Sequence, residues 1–353
     1  MSRWRDSWEF VGPALLVIAV AIVGTFTSTS LQLQFRSILV STAIAVALHV
    51  FIGNSGVISF GHVSFVAIGA FGAGIATSSP QVKPLSFPEL FPFLSELHLG
   101  NIESLILAAV LGGLFAFLVG IPIMRSSGLA AGIATFAVII ITNNVFRNWE
   151  RIGPGAKTLT QIPETTGFMQ ATVGLLLVMA VAFAYQRTRH ARMLRAGRED
   201  PAAAQSSGVD IYRQRLLAFT LSGVLAGFAG GLLVHLVGTI TTQQVFLDLT
   251  FITLAMIVVG GIGSLWGAVV GALSVAGLNS LLAEAERGLG VGWLQVNLPN
   301  GSRLVALGLI MALALLYRPQ GLTGGRELSW PFNRMSSEAY IRMLSAFKSR
   351  GDS

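Results

Sequence analysis

Residues 105–124 read LILAAVLGGLFAFLVGIPIM, a run without a single charged side chain. An α-helix rises about 1.5 Å per residue, so this run can cross the roughly 30 Å hydrocarbon core of a bilayer. Similar apolar runs recur along the chain, and helices are expected because backbone polar groups in lipid must be satisfied within the segment. We therefore predict an all-α integral membrane protein of about ten spans, at residues 10–26, 35–52, 57–77, 105–124, 129–146, 168–185, 216–237, 249–262, 265–282 and 303–317.

The composition excludes an ordinary soluble domain. Of the 353 residues, 53% are hydrophobic and 11% are charged, and the mean hydropathy is +0.71. A soluble domain has charged side chains at roughly a quarter of its positions. The chain has no cysteine, so we expect neither a disulfide framework nor a thiolate metal site. We also expect no cofactor, no metal ligands and no catalytic residues in the chain.

The basic residues indicate how the chain is oriented. Seven arginines lie in residues 187–215, and further basic residues follow Tyr317. Basic residues concentrate on the cytoplasmic side of membrane proteins, which accounts for the net charge of +7 without a nucleic-acid partner. If both segments lie on the cytoplasmic side, the number of spans between them must be even, and four spans are predicted there. The amino- and carboxyl-termini are then both cytoplasmic, and residues 10–26 are a retained first span rather than a cleaved leader.

Two segments outside the spans have a further prediction. Residues 78–104 contain four prolines and form the longest external loop, which we expect to cap the extracytoplasmic face. Residues 336–347 are either a short amphipathic helix or part of a solvated tail.

The predicted spans carry almost no ionisable side chains. A carrier driven by an ion gradient usually holds such groups at membrane depth. Only His49, His62 and His235 lie there, and each either contacts substrate or is satisfied by a neighbouring carbonyl group. The sequence also lacks the GxxxxGK[ST] loop that would bind ATP. These features leave a passive channel or a conduit driven by a partner protein.

Glycines recur at four-residue spacing on two predicted spans. Small residues at this spacing let helix backbones approach closely, which stabilises helix packing in lipid. The two stripes are Gly223, Gly227 and Gly231, and then Gly263, Gly267 and Gly271.

Two glycine-rich segments interrupt the apolar pattern, at residues 53–62 and 260–267. Paired breaks in the two halves of a transporter often mark its substrate pathway, although a tight turn between antiparallel spans uses the same residue types. Both interpretations, a substrate pathway and a tight turn, stay open. The residues that would form the pathway or its hinges are Ser59, Gly61, His62, Gly261, Gly263, Ser264 and Trp266.

The basic segment 187–215 contains a predicted short helix. Asp200 is a typical N-cap and Pro201 a typical first helical residue, and Gly208 can end the helix after about two turns. This helix either docks to a cytoplasmic ATPase or is part of a solvated loop.

Four ordered motifs resemble the LivM-type permeases, the membrane subunits of ABC importers for branched-chain amino acids. They extend from the second span to the tail, with Phe60, Phe71 and Ala268 as departures from commoner residues. The coupling segment keeps the family's Ala203-Ala204-x-x-x-Gly208 spacing, with Ala202 where many importers have Glu. The motifs are Gly56–His62 with Phe65 and Gly69-Ala70-Phe71, Leu216–Phe219 through Ala226–Gly231, Gly260–Gly267, and Arg318–Leu322.

The resemblance implies a transmembrane permease domain over residues 1–330, with a coupling loop at about 187–215, and a cytoplasmic tail over 331–353. It implies ATP-binding subunits, a second related permease and an extracytoplasmic substrate-binding protein in a bacterial inner membrane. Asp200, Ala203, Ala204 and Gly208 would couple the chain to the ATPase. Relatives that carry urea, short amides or aromatic acids leave the substrate open. A lone channel or carrier, or an intramembrane enzyme, would be the alternatives from other classes.

Overall fold

The computed structural model describes residues 2–327 except 82, 87–88, 127, 153–154, 156, 292–293, 297–298, 300, 319–320 and 326. The predicted domain boundary after residue 330 and the predicted helix at 336–347 lie outside the described residues. Within them the fold is helical, with one short antiparallel hairpin. The elements are α1 (Ser2–Thr25), α2 (Thr29–Ser55), α3 (His62–Thr77), α4 (Lys83–Ser86), α5 (Pro92–Glu96), α6 (Asn101–Ile123), α7 (Gly128–Asn148), α8 (Phe168–Gln186), α9 (Arg189–Glu199), α10 (Pro201–Ser206), α11 (Ile211–Val237), α12 (Leu247–Gly260), α13 (Leu265–Gly288), β1 (Leu289–Val291), β2 (Leu294–Val296) and α14 (Ser302–Tyr317).

Among the described residues, seven helices are long and apolar enough to cross a membrane. They are α1, α2, α6, α7, α8, α11 and α13. Helices α3 and α12 are apolar but have 16 and 14 residues, and α14 has 16. The helical membrane fold is therefore confirmed, whereas the count of about ten spans stays a prediction.

The third predicted span, residues 57–77, is helical only from His62 onward. Residues 57–61 are not helical, because Gly56 ends α2 with a left-handed φ of 69° and turns the chain back. The predicted interruption at 53–62 is therefore present, and the span assigned to 57–77 is helical only from His62 onward.

The same arrangement recurs later in the chain. Helix α11 has 27 residues, as α2 has, and ends at Gly238 with a φ of 70°. A non-helical segment over 239–246 then precedes the short helix α12. Helices α2 and α11 are antiparallel neighbours, since Ser222 in α11 donates to the carbonyl of Ala47 in α2 and the late α11 lies beside the early α2. The two units are therefore repeats of opposite orientation, a common transporter plan.

Helix α11 is the centre of the bundle, packed against α3 and α6. Gly223, Gly227 and Gly231 all face α6, and a Cβ at Gly227 would lie 3.0 Å from the Cα of Gly112. The stripe therefore lies at a close helix–helix contact rather than at a lipid-facing surface.

The second glycine stripe is only partly a helix face. Gly267 and Gly271 lie on α13 and pack against the end of α12. Gly263 precedes α13 and lies in the turn between the two helices, where a Cβ would be 2.7 Å from the carbonyl oxygen of Gly325. The prediction that Gly263 shares the helix stripe was wrong, because α13 begins at Leu265.

Candidate functional site

Helices α9 and α10 form a compact pair of short helices at one end of the bundle. The Thr188 hydroxyl caps α9 by accepting from the Ala191 amide. The Asp200 carboxylate caps α10 by accepting from the amides of Ala202 and Ala203, at 2.9 and 3.0 Å. Gly208 follows with a φ of 82°, a conformation that ends a helix and that glycine adopts without strain. The predicted short helix and its cap are therefore present, whereas its docking role stays a prediction.

Two arginines of α9 bind the last turn of α2. Arg195 donates to the Asn54 side-chain oxygen at 2.8 Å and to the Gln186 carbonyl at 2.9 Å. Arg198 donates to the carbonyl of Gly53 at 2.9 Å. The last carbonyls of a helix lack partners within the helix and carry partial negative charge, so guanidinium groups stabilise this end. We call Arg195, Arg198 and the end of α2 that they bind the arginine clamp.

The clamp lies directly before the first non-helical segment. Residues 57–61 run beside α7, where the Phe60 amide donates to the Thr135 hydroxyl at 3.1 Å. Gly61 packs against the Thr135 backbone so closely that no Cβ would fit there. The segment thus satisfies part of its backbone through α7, as non-helical backbone at membrane depth requires.

His62 joins this segment to α2 and α11. Its Nε2 lies 2.6 Å from the Ser222 hydroxyl and its Nδ1 lies 2.8 Å from the Ser59 hydroxyl. Because Ser222 donates its proton to the Ala47 carbonyl, Nε2 must carry the imidazole proton and donate to Ser222. Nδ1 then accepts from Ser59. Ser59 and His62, two of the predicted pathway or hinge residues, are thus brought together in one hydrogen-bonded network.

Aromatic rings enclose the His62 network. The imidazole stacks on Phe51 at 5.6 Å between centroids and meets the edges of Phe65 and Phe219, each at 5.2 Å. All four side chains are buried. Water therefore has no place beside the imidazole, and a role of His62 in direct substrate contact stays a prediction.

The other two histidines also have polar partners. His49 accepts from the Gln186 side chain at 2.9 Å, and it lines a cleft with Arg195 beside the arginine clamp. His235 bridges α6 and the segment before α8, through Ser104 at 2.9 Å and the Pro163 carbonyl at 3.2 Å.

The glycine-rich segment 260–267 has the geometry of a tight turn between α12 and α13. The Ser264 hydroxyl accepts from the Gly267 amide at 2.9 Å, and Gly261 adopts a φ of 115°. The chain after α14 packs on this turn, since Leu322 donates to the Val259 carbonyl at 2.8 Å. Trp266 is buried nearby. A role of Gly261, Gly263, Ser264 and Trp266 in translocation stays a prediction.

Glu327 closes the same turn. Its carboxylate accepts from the amides of Leu265 and Trp266, at 2.6 and 3.2 Å, and so caps the first turn of α13. Burial raises the pKa of Glu327 to about 7, against the lowering effect of these two amides. Sequence reasoning missed this residue, because nothing in the local pattern links it to a helix that begins 62 residues earlier.

The sequence analysis places residues 239–246 between two predicted spans and assigns them no functional role. Asn143 in α7 donates to the Thr242 carbonyl at 3.3 Å, and a β-bridge joins Ile240 to Leu159. This segment is the structural counterpart of 57–61 in the second repeat. The signal was Gly238 followed by the polar run TITTQQ, which reads equally well as an external loop.

Among the residues that the structure describes, no three His, Asp or Glu side chains converge as metal ligands. The site consists instead of the hydrogen-bonded His62 network, the arginine clamp beside it and the exposed, capped helix α10.

Residues 29–317 match the sequence profile of the family described as branched-chain amino acid transport system / permease component. The high-affinity branched-chain amino acid transport system permease protein LivM of Salmonella typhimurium is 27% identical over 88% of this chain and 73% of its own. The protein of the same name from Escherichia coli is 26% identical over the same shares. An autoinducer 2 import system permease protein, LsrC of an Enterobacter species, is 28% identical over 76% of each chain. No solved structure matches the chain.

Proposed function

Because the chain belongs to the family of branched-chain amino acid transport system permease components, we propose that it imports branched-chain or related hydrophobic amino acids as one permease of an ABC importer. The observation that carries this proposal is the family match over 29–317, which includes both non-helical segments and the α9–α10 pair. The similarity to two LivM permeases over most of the chain supports the substrate class.

We propose that this permease works with two ATP-binding subunits, a second related permease and an extracytoplasmic substrate-binding protein. The complex would lie in the bacterial inner membrane, with about ten spans and both termini in the cytoplasm. The proposed docking element is α10 with its N-cap. Asp200 and Ala203 are exposed to solvent, whereas Ala204 is buried. The chain itself would catalyse no reaction.

In the proposed mechanism, ATP binding closes the motor subunits and displaces α9 and α10. The arginine clamp passes this displacement to the end of α2, because Arg195 and Arg198 hold Asn54 and Gly53 directly. The end of α2 adjoins the non-helical segment 57–61, which has few backbone hydrogen bonds to break. A two-state change of access would result, biased by nucleotide and by the loaded binding protein.

A second candidate substrate class follows from a different relative. The similarity to an autoinducer 2 permease favours a polar, non-amino-acid solute carried by the same importer mechanism. Urea, short amides and aromatic acids are further candidates that the sequence resemblance left open.

The test is uptake by the purified complex in proteoliposomes, with ATP inside and leucine-loaded binding protein outside. We expect leucine accumulation that requires ATP and all subunits. The control complex carries ATP-binding subunits whose P-loop lysine is replaced by alanine. Accumulation of a solute by this chain alone would refute the proposed class, whereas ATP-driven import of autoinducer 2 but not leucine would support the second candidate.

A further inference from the structure

A cavity of about 350 Å³ lies between the two repeats, at the end of the bundle opposite to α9 and α10. Its walls are the first part of α2, the last part of α11, segment 239–246, and parts of α12, α13 and α14. The opposite placement follows from α11, which begins beside α9 and α10 and reaches the cavity 27 residues later. A small-molecule pocket typically has a volume of about 300–1,000 Å³, so this cavity suits a small solute.

Most of the cavity wall is aliphatic. Ile38, Val237, Leu249, Ile252 and Met256 line it from three different helices. An aliphatic side chain bound here would leave water without losing any hydrogen bond, which favours binding.

Two polar groups on the wall are buried and lack a partner. Nε of Arg303 has no hydrogen-bond acceptor, and Oδ1 of Asn279 has no donor. Buried polar atoms are almost always paired, and each orphan is costly unless a ligand or water completes it. Arg303 is the only ionisable group among the described residues that line the cavity, and the Glu286 carboxylate, which is outside the lining, accepts from the Arg303 backbone amide at 2.7 Å. The cavity is therefore prepared for an anionic group beside Arg303 and for a donor beside Asn279.

We propose that this cavity is a binding site for a branched aliphatic amino acid within the permease. Arg303 binds the α-carboxylate, Asn279 accepts a hydrogen bond from the α-ammonium group, and the aliphatic wall holds the side chain. The inference rests on the proposed function and adds a second point of selection after the binding protein.

The placement of the cavity supports this assignment. Substrate sites in transporters with inverted repeats lie at the repeat interface, beside discontinuous helices. This cavity borders both α2 and α11 and is lined by Ile240 and Val245 of the second non-helical segment. A change in that segment would therefore alter the site directly.

The test uses the full importer complex in proteoliposomes, with leucine uptake measured against the concentration of leucine-loaded binding protein. It also uses equilibrium binding of leucine to the detergent-purified membrane complex without binding protein. The variants are Arg303→Gln and Asn279→Ala, which remove each orphan group, and Ile252→Trp, which fills the cavity. Arg36→Gln is the matched control, because the Arg36 guanidinium lies over the Phe168 ring and does not line the cavity.

We expect Arg303→Gln to weaken leucine binding about tenfold or more, in line with the loss of a charge-assisted hydrogen bond. Two leucine fragments separate the polar roles. Isocaproate, which lacks the ammonium group, should displace leucine equally well from wild type and from Asn279→Ala, but it should not bind to Arg303→Gln. Isoamylamine, which lacks the carboxylate, should bind wild type more weakly than isocaproate does.

A structural defect is separated from a binding defect by complex assembly and by the ATPase rate that loaded binding protein stimulates. Leucine binding and uptake that match wild type in both Arg303→Gln and Ile252→Trp would overturn the inference. The same is true if only a lipid or detergent, and no amino acid, binds at the cavity. Failure of the proposed function looks different, because wild type itself would then show no ATP-driven leucine uptake.

Discussion

Replacing Gly271 by alanine tests whether α12 and α13 must touch at their backbones. An added Cβ would lie 2.5 Å from the Cα and 2.6 Å from the amide nitrogen of Gly260, and closer still to the Met256 carbonyl oxygen. Carbon atoms in ordinary contact are about 3.5–4.0 Å apart, so the helices must separate by about 1 Å. Overpacking of this kind costs about 1–3 kcal/mol or more.

Gly277 provides the matched control on the same helix, since a Cβ there meets nothing within 4 Å. Both substitutions gain the same helix propensity, about 0.5–1 kcal/mol, so the difference between the two variants isolates the packing cost. At about 2–4 °C per kcal/mol, Gly271→Ala should melt about 3–10 °C below Gly277→Ala. Thermal unfolding of the detergent-purified protein measures this. Equal melting temperatures would refute the argument that close backbone approach holds the two helices together.

Three further predictions concern the end of the bundle that carries α9 and α10. Arg198→Ala should lower ATP-driven uptake severalfold while leaving complex assembly intact, because the Gly53 carbonyl loses its donor. The control Arg189→Ala, at an exposed position of the same helix, should transport normally. Equal uptake by both variants would contradict the role of the arginine clamp. Gly208→Pro should abolish association with the ATP-binding subunits, because proline fixes φ near −65° and Gly208 needs a φ of 82°. Gly208→Asn should retain this association, since asparagine tolerates the left-handed region. Unchanged co-purification of the proline variant would argue against docking at α10. Glu327 has a folded-state pKa of about 7, above its ordinary 4.5, so the folded protein binds more protons than the unfolded chain between these pH values. The free energy of unfolding therefore falls as the pH rises through this window. When unfolding is followed from pH 5 to 8, Glu327→Gln should lose this pH dependence, and an unchanged pH dependence would be evidence against Glu327 as its source.

The sequence was sufficient for the long spans, because a run of about 20 apolar residues determines a membrane helix without any tertiary information. It was also sufficient for α10, whose cap at Asp200 and end at Gly208 are local signals. At 53–62 the glycines predicted a break, but they did not distinguish a pathway segment from a tight turn. The contact that holds this segment against α7, from the Phe60 amide to the Thr135 hydroxyl, joins residues 75 positions apart and leaves no local signal.

The cavity was out of reach for a related reason. Its lining comes from five helices and one non-helical segment, and none of its residues stands out within its own span. Arg303 is the first residue of the predicted span 303–317, where a charged side chain is unremarkable. Its importance depends on what faces it, and spacing along the chain carries no information about that.

The hydrogen bonds through His62 indicate how the two ends of the bundle are linked. The chain Ser59–His62–Ser222–Ala47 ties the first non-helical segment to both long helices, α2 and α11. The Ser222 hydroxyl donates directly to the Ala47 carbonyl, so a shift of α2 must either break this hydrogen bond or carry α11 along. Helix α11 ends at Val237, beside the cavity and directly before the second non-helical segment. A displacement at the arginine clamp would thus reach the cavity through α11, so Ser222→Ala, which removes the hydrogen bonds of Ser222 to both Ala47 and His62, should lower the leucine uptake per ATP hydrolysed, and an unchanged ratio would contradict this link.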